Sequence, residues 1–360
     1  MTCAGARGET ATQMRTVLAL PEGNAAYEAL AAQMKRWDAL AKPALDGPSG
    51  NDPDTQKYME QMLEQRRIAL HVVNRVWAQT GHPVRPDFAA VLNNSFRAPI
   101  AQVDFAHAAE AARVEINKWV SDATRNKIPE LLGKRSVTSD TRLVLTNAVY
   151  FKASWQTQFQ KYATKDGAFH AEGRDSKTPF MQRLGQLSVA KFDGGQLVEL
   201  PYGAGDIVMD VILPTANNGL PAIETALENG ALPSWLAKLS GARVDLALPR
   251  WKSSASFDLG ETLERLGMKL AFGLPGADFS GIDDMRDLFI SAVAHQALVT
   301  VDEQGTEAAA ATAVAAAGAG APPSDPPIIF RADHAFVYLI RDTKSGAILF
   351  LGRLSDPSKS

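Results

Sequence analysis

Residues 301–314 read Val301-Asp302-Glu303-Gln304-Gly305-Thr306-Glu307-Ala308-Ala309-Ala310-Ala311-Thr312-Ala313-Val314, and an Ala/Gly tract carries on to Ala321. A glycine is followed by about a dozen residues with almost no side-chain bulk. Strand-like sequence flanks the tract, at 297–301 before it and 328–330 after it, so both of its ends are anchored in the core. A long structureless loop inside a compact domain is functional or disordered.

Working outward, the 360 residues, 46% of them hydrophobic, leave room for one large core or two ordinary ones. A formal charge of -3 gives no basic field, so neither nucleic acid nor an anionic surface is expected as a partner. Cys3 is the single cysteine, which excludes an intrachain disulfide and any multi-cysteine metal site. No stretch approaches the ~18–20 apolar residues of a membrane span. The segment Met1-Thr2-Cys3-Ala4-Gly5-Ala6-Arg7-Gly8-Glu9 lacks the charged start and apolar run of a secretory signal. Compartment is left open, with an extracellular or periplasmic setting favoured.

Periodicity predicts helices over 10–18, 25–41, 108–132, 221–229 and 259–266, and turn formers predict a surface loop over 42–53. Residues 143–151, Leu-Val-Leu-Thr-Asn-Ala-Val-Tyr-Phe, are apolar on both alternating faces and predict a central strand covered on both sides. Strands are further expected at 68–77, 189–192, 196–200, 207–213, 244–248, 289–293, 297–301, 328–330, 336–340 and 347–351. Helices early and strands late give an α+β protein with large, mostly antiparallel sheets.

Catalytic signatures are missing: there is no G-x-S-x-G, no G-x-x-x-x-G-K-[ST], no H-E-x-x-H and no G-x-G-x-x-G. The histidines at 71, 82, 107, 170, 295 and 334 never fall at the spacing of a helical metal site. No catalytic residue, metal or cofactor is expected. Asn147 and His295 interrupt otherwise apolar strands. An unpaired buried polar group costs about 1–3 kcal/mol, so each should find a hydrogen-bond partner.

With the 301–321 stretch read, the chain resembles the serpins, the serine protease inhibitor family. The stretch Gly305-Thr306-Glu307-Ala308-Ala309-Ala310-Ala311-Thr312 is similar to the family's hinge, and Thr146-Asn147-Ala148-Val149-Tyr150-Phe151-Lys152-Ala153-Ser154-Trp155 to its central strand and the tryptophan that follows. Glu199-Leu200-Pro201-Tyr202, Leu248-Pro249-Arg250-Trp251-Lys252, Ala277-Asp278-Phe279-Ser280-Gly281-Ile282 and Phe350-Leu351-Gly352-Arg353 appear in the family's order.

The resemblance implies one domain over 1–360, with three β-sheets, surrounding helices and an exposed reactive-centre loop, hinge and loop together spanning 303–325. It implies inhibition by suicide: a serine protease attacks the loop, forms an acyl-enzyme, and is trapped when the cut loop enters the largest sheet. Loop insertion in this family is a known case of strand addition to a sheet. Alanine and threonine suit it, since a charge or a proline at a buried position would stall entry. The family's spacing places the scissile bond at Ala319-Gly320. A small residue there implies an elastase-like or subtilisin-like target. Carried over by residue, Glu303 is expected to pair with Arg250 beside Trp155, and Asn147, Ser291 and His295 to form a polar latch under the sheet.

Two departures stand out. Ala335 occupies a position where the family has proline. Met1 aligns inside an early helix, which implies that roughly sixty residues, a helix and an edge strand among them, are missing, exposing unpaired backbone. A working inhibitor is expected to be monomeric, with loop-sheet polymers as its failure mode. The alternatives are a non-inhibitory binding or carrier member and an inactive truncated one.

Overall fold

A computed structural model describes residues 1–42, 52–306 and 326–359. Fourteen strands occur among them: β1 Ile68–Gln79, β2 Ile100–Val103, β3 Leu143–Ser154, β4 Lys165–Ala171, β5 Arg174–Phe192, β6 Gly195–Tyr202 and β7 Ile207–Pro214. The remainder are β8 Ser240–Pro249, β9 Trp251–Asp258, β10 Ile290–Val301, β11 Gly305–Thr306, β12 Ile328–Arg331, β13 Phe336–Asp342 and β14 Ile348–Leu354. They form a six-stranded sheet in the order β2-β1-β3-β11-β10-β9 and an eight-stranded one. No helix among the described residues is long and apolar enough to cross a membrane.

The chain divides into two compact units. The first comprises Met1–Ala39, Leu70–Tyr150 and Ser254–Leu298. Here β3 and β10 pair directly and in parallel, from Leu143 opposite Ile290 to Tyr150 opposite Leu298. Alternation along β3 sends its side chains into two cores. Leu143 joins Met14, Phe88, Phe279 and Ile290 on one face, while Val144 and Ala148 meet Trp77, Ile116 and Val120 on the other. Both faces are therefore covered, as the apolar run predicts. Helix Phe105–Ala123 supplies the second core, and Trp77 Nε1 donates to Thr146 Oγ1 across it at 3.1 Å.

The second unit comprises Leu40–Ala69, Phe151–Ser253 and Val299–Ser360. It holds the eight-stranded sheet, with β4 beside β5 and the order β12-β8-β5-β6-β7-β13-β14. Its core packs Leu197, Ile212, Trp235 and Leu339 under helix Leu220–Glu228. Within the same unit β11 lies antiparallel to both neighbours: Gly305 opposes Ser154, and Thr306 opposes Ala153 on one side and Val301 on the other.

Several expectations change. Three sheets were implied, but hydrogen bonding joins the described strands into two, because the 19-residue β5 pairs with β4 over 174–180, with β8 over 180–189 and with β6 over 188–192. The helix expected over 108–132 ends at Ala123, with Arg125 and Asn126 at positive φ. Asn117 then holds the returning chain, accepting from the N–H groups of Leu131 and Leu132. Strands expected at 289–293 and 297–301 are one strand, β10, since polar His295 is satisfied within the sheet. The turn-rich segment over 42–53 conceals a helix start: Asp52 Oδ1 accepts from Asp54 and Thr55 N–H, Pro53 occupies the first turn, and the helix runs Pro53–Arg66.

Gly305 is where a side chain meets a wall. A Cβ there would lie 2.0 Å from Ala153 O and 2.7 Å from Ser154 Cα. Gly305→Ala is expected to destabilise the chain by about 1–3 kcal/mol, as overpacking does, read as a lowered urea midpoint. An unchanged midpoint would mean that β11 contributes nothing to the folded state.

Candidate functional site

The site grows from a tight turn between β10 and β11. Asp302 N–H donates to Gly305 O at 2.9 Å, and Asp302 Oδ1 accepts from the N–H groups of Gln304 at 2.8 Å and Gly305 at 3.2 Å. Such an aspartate-closed turn folds from local sequence. It delivers Thr306, fully buried, onto Tyr202, whose hydroxyl is 2.6 Å from Thr306 Oγ1.

Trp155 holds the turn from the β3 side. Its Nε1 donates to Asp302 O at 2.9 Å and its backbone N–H to Gln304 O at 2.8 Å. The indole stacks on Tyr202, centroids 4.3 Å apart and planes 13° from parallel, and meets Phe159 edge-on. Phe159 N–H donates to Glu303 O at 2.9 Å. Glu303 is 2% exposed, and its Oε1 accepts from Arg250 Nε at 2.8 Å, from Arg250 Nη2 and from Thr164 Oγ1.

Burial pushes the Glu303 carboxyl up, but the hydrogen bonds from Arg250 and Thr164 outweigh it and the group titrates below its ordinary value. The resulting stabilisation is present at neutral pH and is lost as pH falls through that lowered value. Asp302 moves the other way, raised by burial against its two backbone donors. Burial also raises the Tyr202 phenol well above its usual range, so it remains protonated beside Thr306.

A second polar group lies within the first unit. His295 and Asn147 are register partners in the β3–β10 ladder, and His295 Nδ1 sits 2.5 Å from Asn147 Oδ1. Asn147 Nδ2 donates onward to Asn74 Oδ1 on β1 at 2.5 Å. Ser291, expected in the same latch, instead accepts from Arg142 N–H at 3.0 Å.

The expected residues Trp155, Arg250, Glu303, Gly305 and Thr306 thus come together, as do Asn147 and His295. Glu307, Ala308, Ala309, Ala310, Ala311 and Thr312, like Ala319 and Gly320, lie outside the described residues. Sequence reasoning gave no role to Tyr202, Phe159, Thr164, Asp302 or Asn74. Tyr202 stood in a quoted motif, and Asn74 interrupts β1 as Asn147 interrupts β3.

A comparison with protein-family models matches residues 1–357 to Serpin (serine protease inhibitor). The chain belongs to the serpin family. It is accordingly a protease inhibitor and not an enzyme. A leukocyte elastase inhibitor of Sus scrofa is 42% identical over 301 residues, covering 80% of this chain and 78% of the relative. An uncharacterized serpin-like protein of Thermococcus kodakarensis is 36% identical over 354 residues, 98% of this chain and 76% of that protein. Among solved structures, a highly specific serpin of the insect Tenebrio molitor superposes with a TM-score of 0.82 at 28% identity, covering 99% of this chain and 87% of the other. The expected missing lead-in of roughly sixty residues, with the unpaired edge it implied, finds no support in the family match.

Burial lowers the His295 pKa below its ordinary value of 6.5. The unfolded chain therefore binds more protons than the folded one between that lowered value and about 6.5, so stability rises with pH across this window. The melting temperature is expected to fall as pH drops from 7 through that window, with a shallower slope in His295→Gln. Equal slopes in the two proteins would remove His295 as the titrating group.

Proposed function

We propose that this serpin inhibits by suicide. A protease serine Oγ attacks the carbonyl carbon of Ala319; the Ala319–Gly320 bond breaks, the Gly320 amine leaves with a proton, and the ester of Ala319 remains on the protease. The freed segment beginning at Thr306 then continues β11 between β3 and β10 and carries the protease with it, distorting its catalytic site before water cleaves the ester.

The observation that carries this reading is the seat of Gly305 and Thr306 between β3 and β10. These two residues occupy the position from which an entering strand would extend. Trp155, Arg250 and Glu303 serve as the gate that holds this end, and Asn147 with His295 as the latch that the entering strand must part. The residues after Thr306 are small enough to pack on both faces of a sheet. A dozen inserted residues gaining ladder hydrogen bonds would release on the order of 10 kcal/mol.

Small residues at Ala319 and Gly320 suit a serine protease with a shallow primary pocket, elastase-like or subtilisin-like. The similarity to leukocyte elastase inhibitors supports the first. The inhibitor acts as a monomer and as one domain over 1–360, its loop over 303–325.

Mixed with pancreatic elastase, the chain is expected to give a complex that survives denaturing electrophoresis; clean cleavage at 319 with no such complex would overturn the proposal. In Thr306→Arg the guanidinium cannot follow the buried threonine, so the variant should be cut as a substrate with at least about tenfold less complex, the stalled entry reflecting the cost of a buried charge. Undiminished complex formation would refute the insertion step.

A further inference from the structure

Arg183, on β5, is a cation without a counter-ion among the described residues. Among the described residues no carboxylate pairs with it, and its Nε is sealed from solvent with no hydrogen-bond partner. Its Nη1 donates to Thr157 O, and the guanidinium carbon lies 5.2 Å from the centroid of the Phe159 ring. The neighbouring arginines of this unit are partnered otherwise: Arg250 by Glu303, Arg331 by Asp245, Arg341 by Asp210 and Glu199. Burial alone pulls the Arg183 pKa down to about 10, with no nearby charge opposing it. An arginine so placed still carries its charge at neutral pH, at a desolvation cost that a bound anion would offset.

Beside it is a cavity of about 250 Å³ lined by Gln156, Thr157, Arg183, Gln186, Leu187, Ser188, Pro201 and Gly241. The lining carries one full charge and no carboxylate, while amide and hydroxyl groups from Gln186 and Ser188 are available as donors. Gln186 stands opposite Arg243 in the β5–β8 ladder, which adds positive field at the mouth. The carboxylates on the adjoining ladders, Asp245 opposite Leu184 and Glu199 opposite Ser188, are engaged by Arg331 and Arg341.

We propose that this cavity binds a small oxyanion, a carboxylate or sulfate, whose oxygens accept from the Arg183 guanidinium. The planar guanidinium fork matches such groups in a bidentate manner, and the volume suits a ligand smaller than a typical drug-sized molecule. The site also reaches the hinge: Arg183 packs on Phe159, and Phe159 N–H holds the Glu303 carbonyl. An occupant fixes Phe159 and stabilises the seated turn. The binding itself stands whether or not the chain inhibits a protease.

The test titrates the full chain with sodium citrate and with sodium sulfate against sodium chloride at constant ionic strength, following the melting temperature and the heat of binding. Saturable binding of citrate or sulfate, absent with chloride, is expected. Gln186→Glu, at an exposed position and so safe for folding, places a competing carboxylate at the cavity and should weaken that binding at least roughly tenfold; Arg183→Gln should abolish it. Lack of saturation with both anions, or equal affinity in wild type and Gln186→Glu, would overturn the proposal.

Discussion

A sheet whose middle strands part must satisfy the backbone groups that face the gap, and the site depends on how that is done. Along 143–150 and 290–298 the strands β3 and β10 satisfy one another. Beyond, at Ala153 and Ser154 on one side and Val301 on the other, their ladder partners are Gly305 and Thr306. Two residues are thus held in a slot of backbone width, and only a glycine can sit at 305, where Ala153 O closes the space that a Cβ would need. An unmade buried hydrogen bond costs about 1–3 kcal/mol, so leaving the slot empty would be expensive for both strands.

Polar and aromatic groups around the slot are matched one to one. Trp155 spends its indole N–H on a carbonyl of the turn and its ring on Tyr202, whose hydroxyl meets Thr306. Glu303 is buried as an anion because Arg250 and Thr164 both face it. Arg250 itself is partly exposed, 42% at the side chain against 3% for Glu303, so the desolvation falls on the carboxylate. Removing Arg250 would leave the charge buried and unpaired, which is the costly way to break such a pair.

What the sequence disclosed follows from where the determining forces lie. The 143–151 run announces a doubly covered strand because both faces must be apolar to be buried. β10 looks like two strands because His295 and Gln296 break its pattern; only the partner Asn147, 148 positions earlier, makes the break harmless. Most of β5 went unread because Arg183, Gly185 and Gln186 interrupt alternation in a strand held largely by its ladder with β8. Arg250, Glu303 and Trp155 were found through resemblance, whereas Thr164 and Phe159 owe their places to chain segments far apart and carry no local signature, and Tyr202 lay in a quoted motif that gave it no role. Ser291 was assigned to the latch by analogy, yet four residues along a strand from His295 it meets Arg142 instead.

Strand direction has a further consequence. β3 and β10 run parallel, and a parallel ladder has slanted hydrogen bonds, slightly weaker per residue than antiparallel ones. β11 opposes both. Its two residues therefore sit in straight ladders on either side, at the one place where the slanted ladder between β3 and β10 gives way.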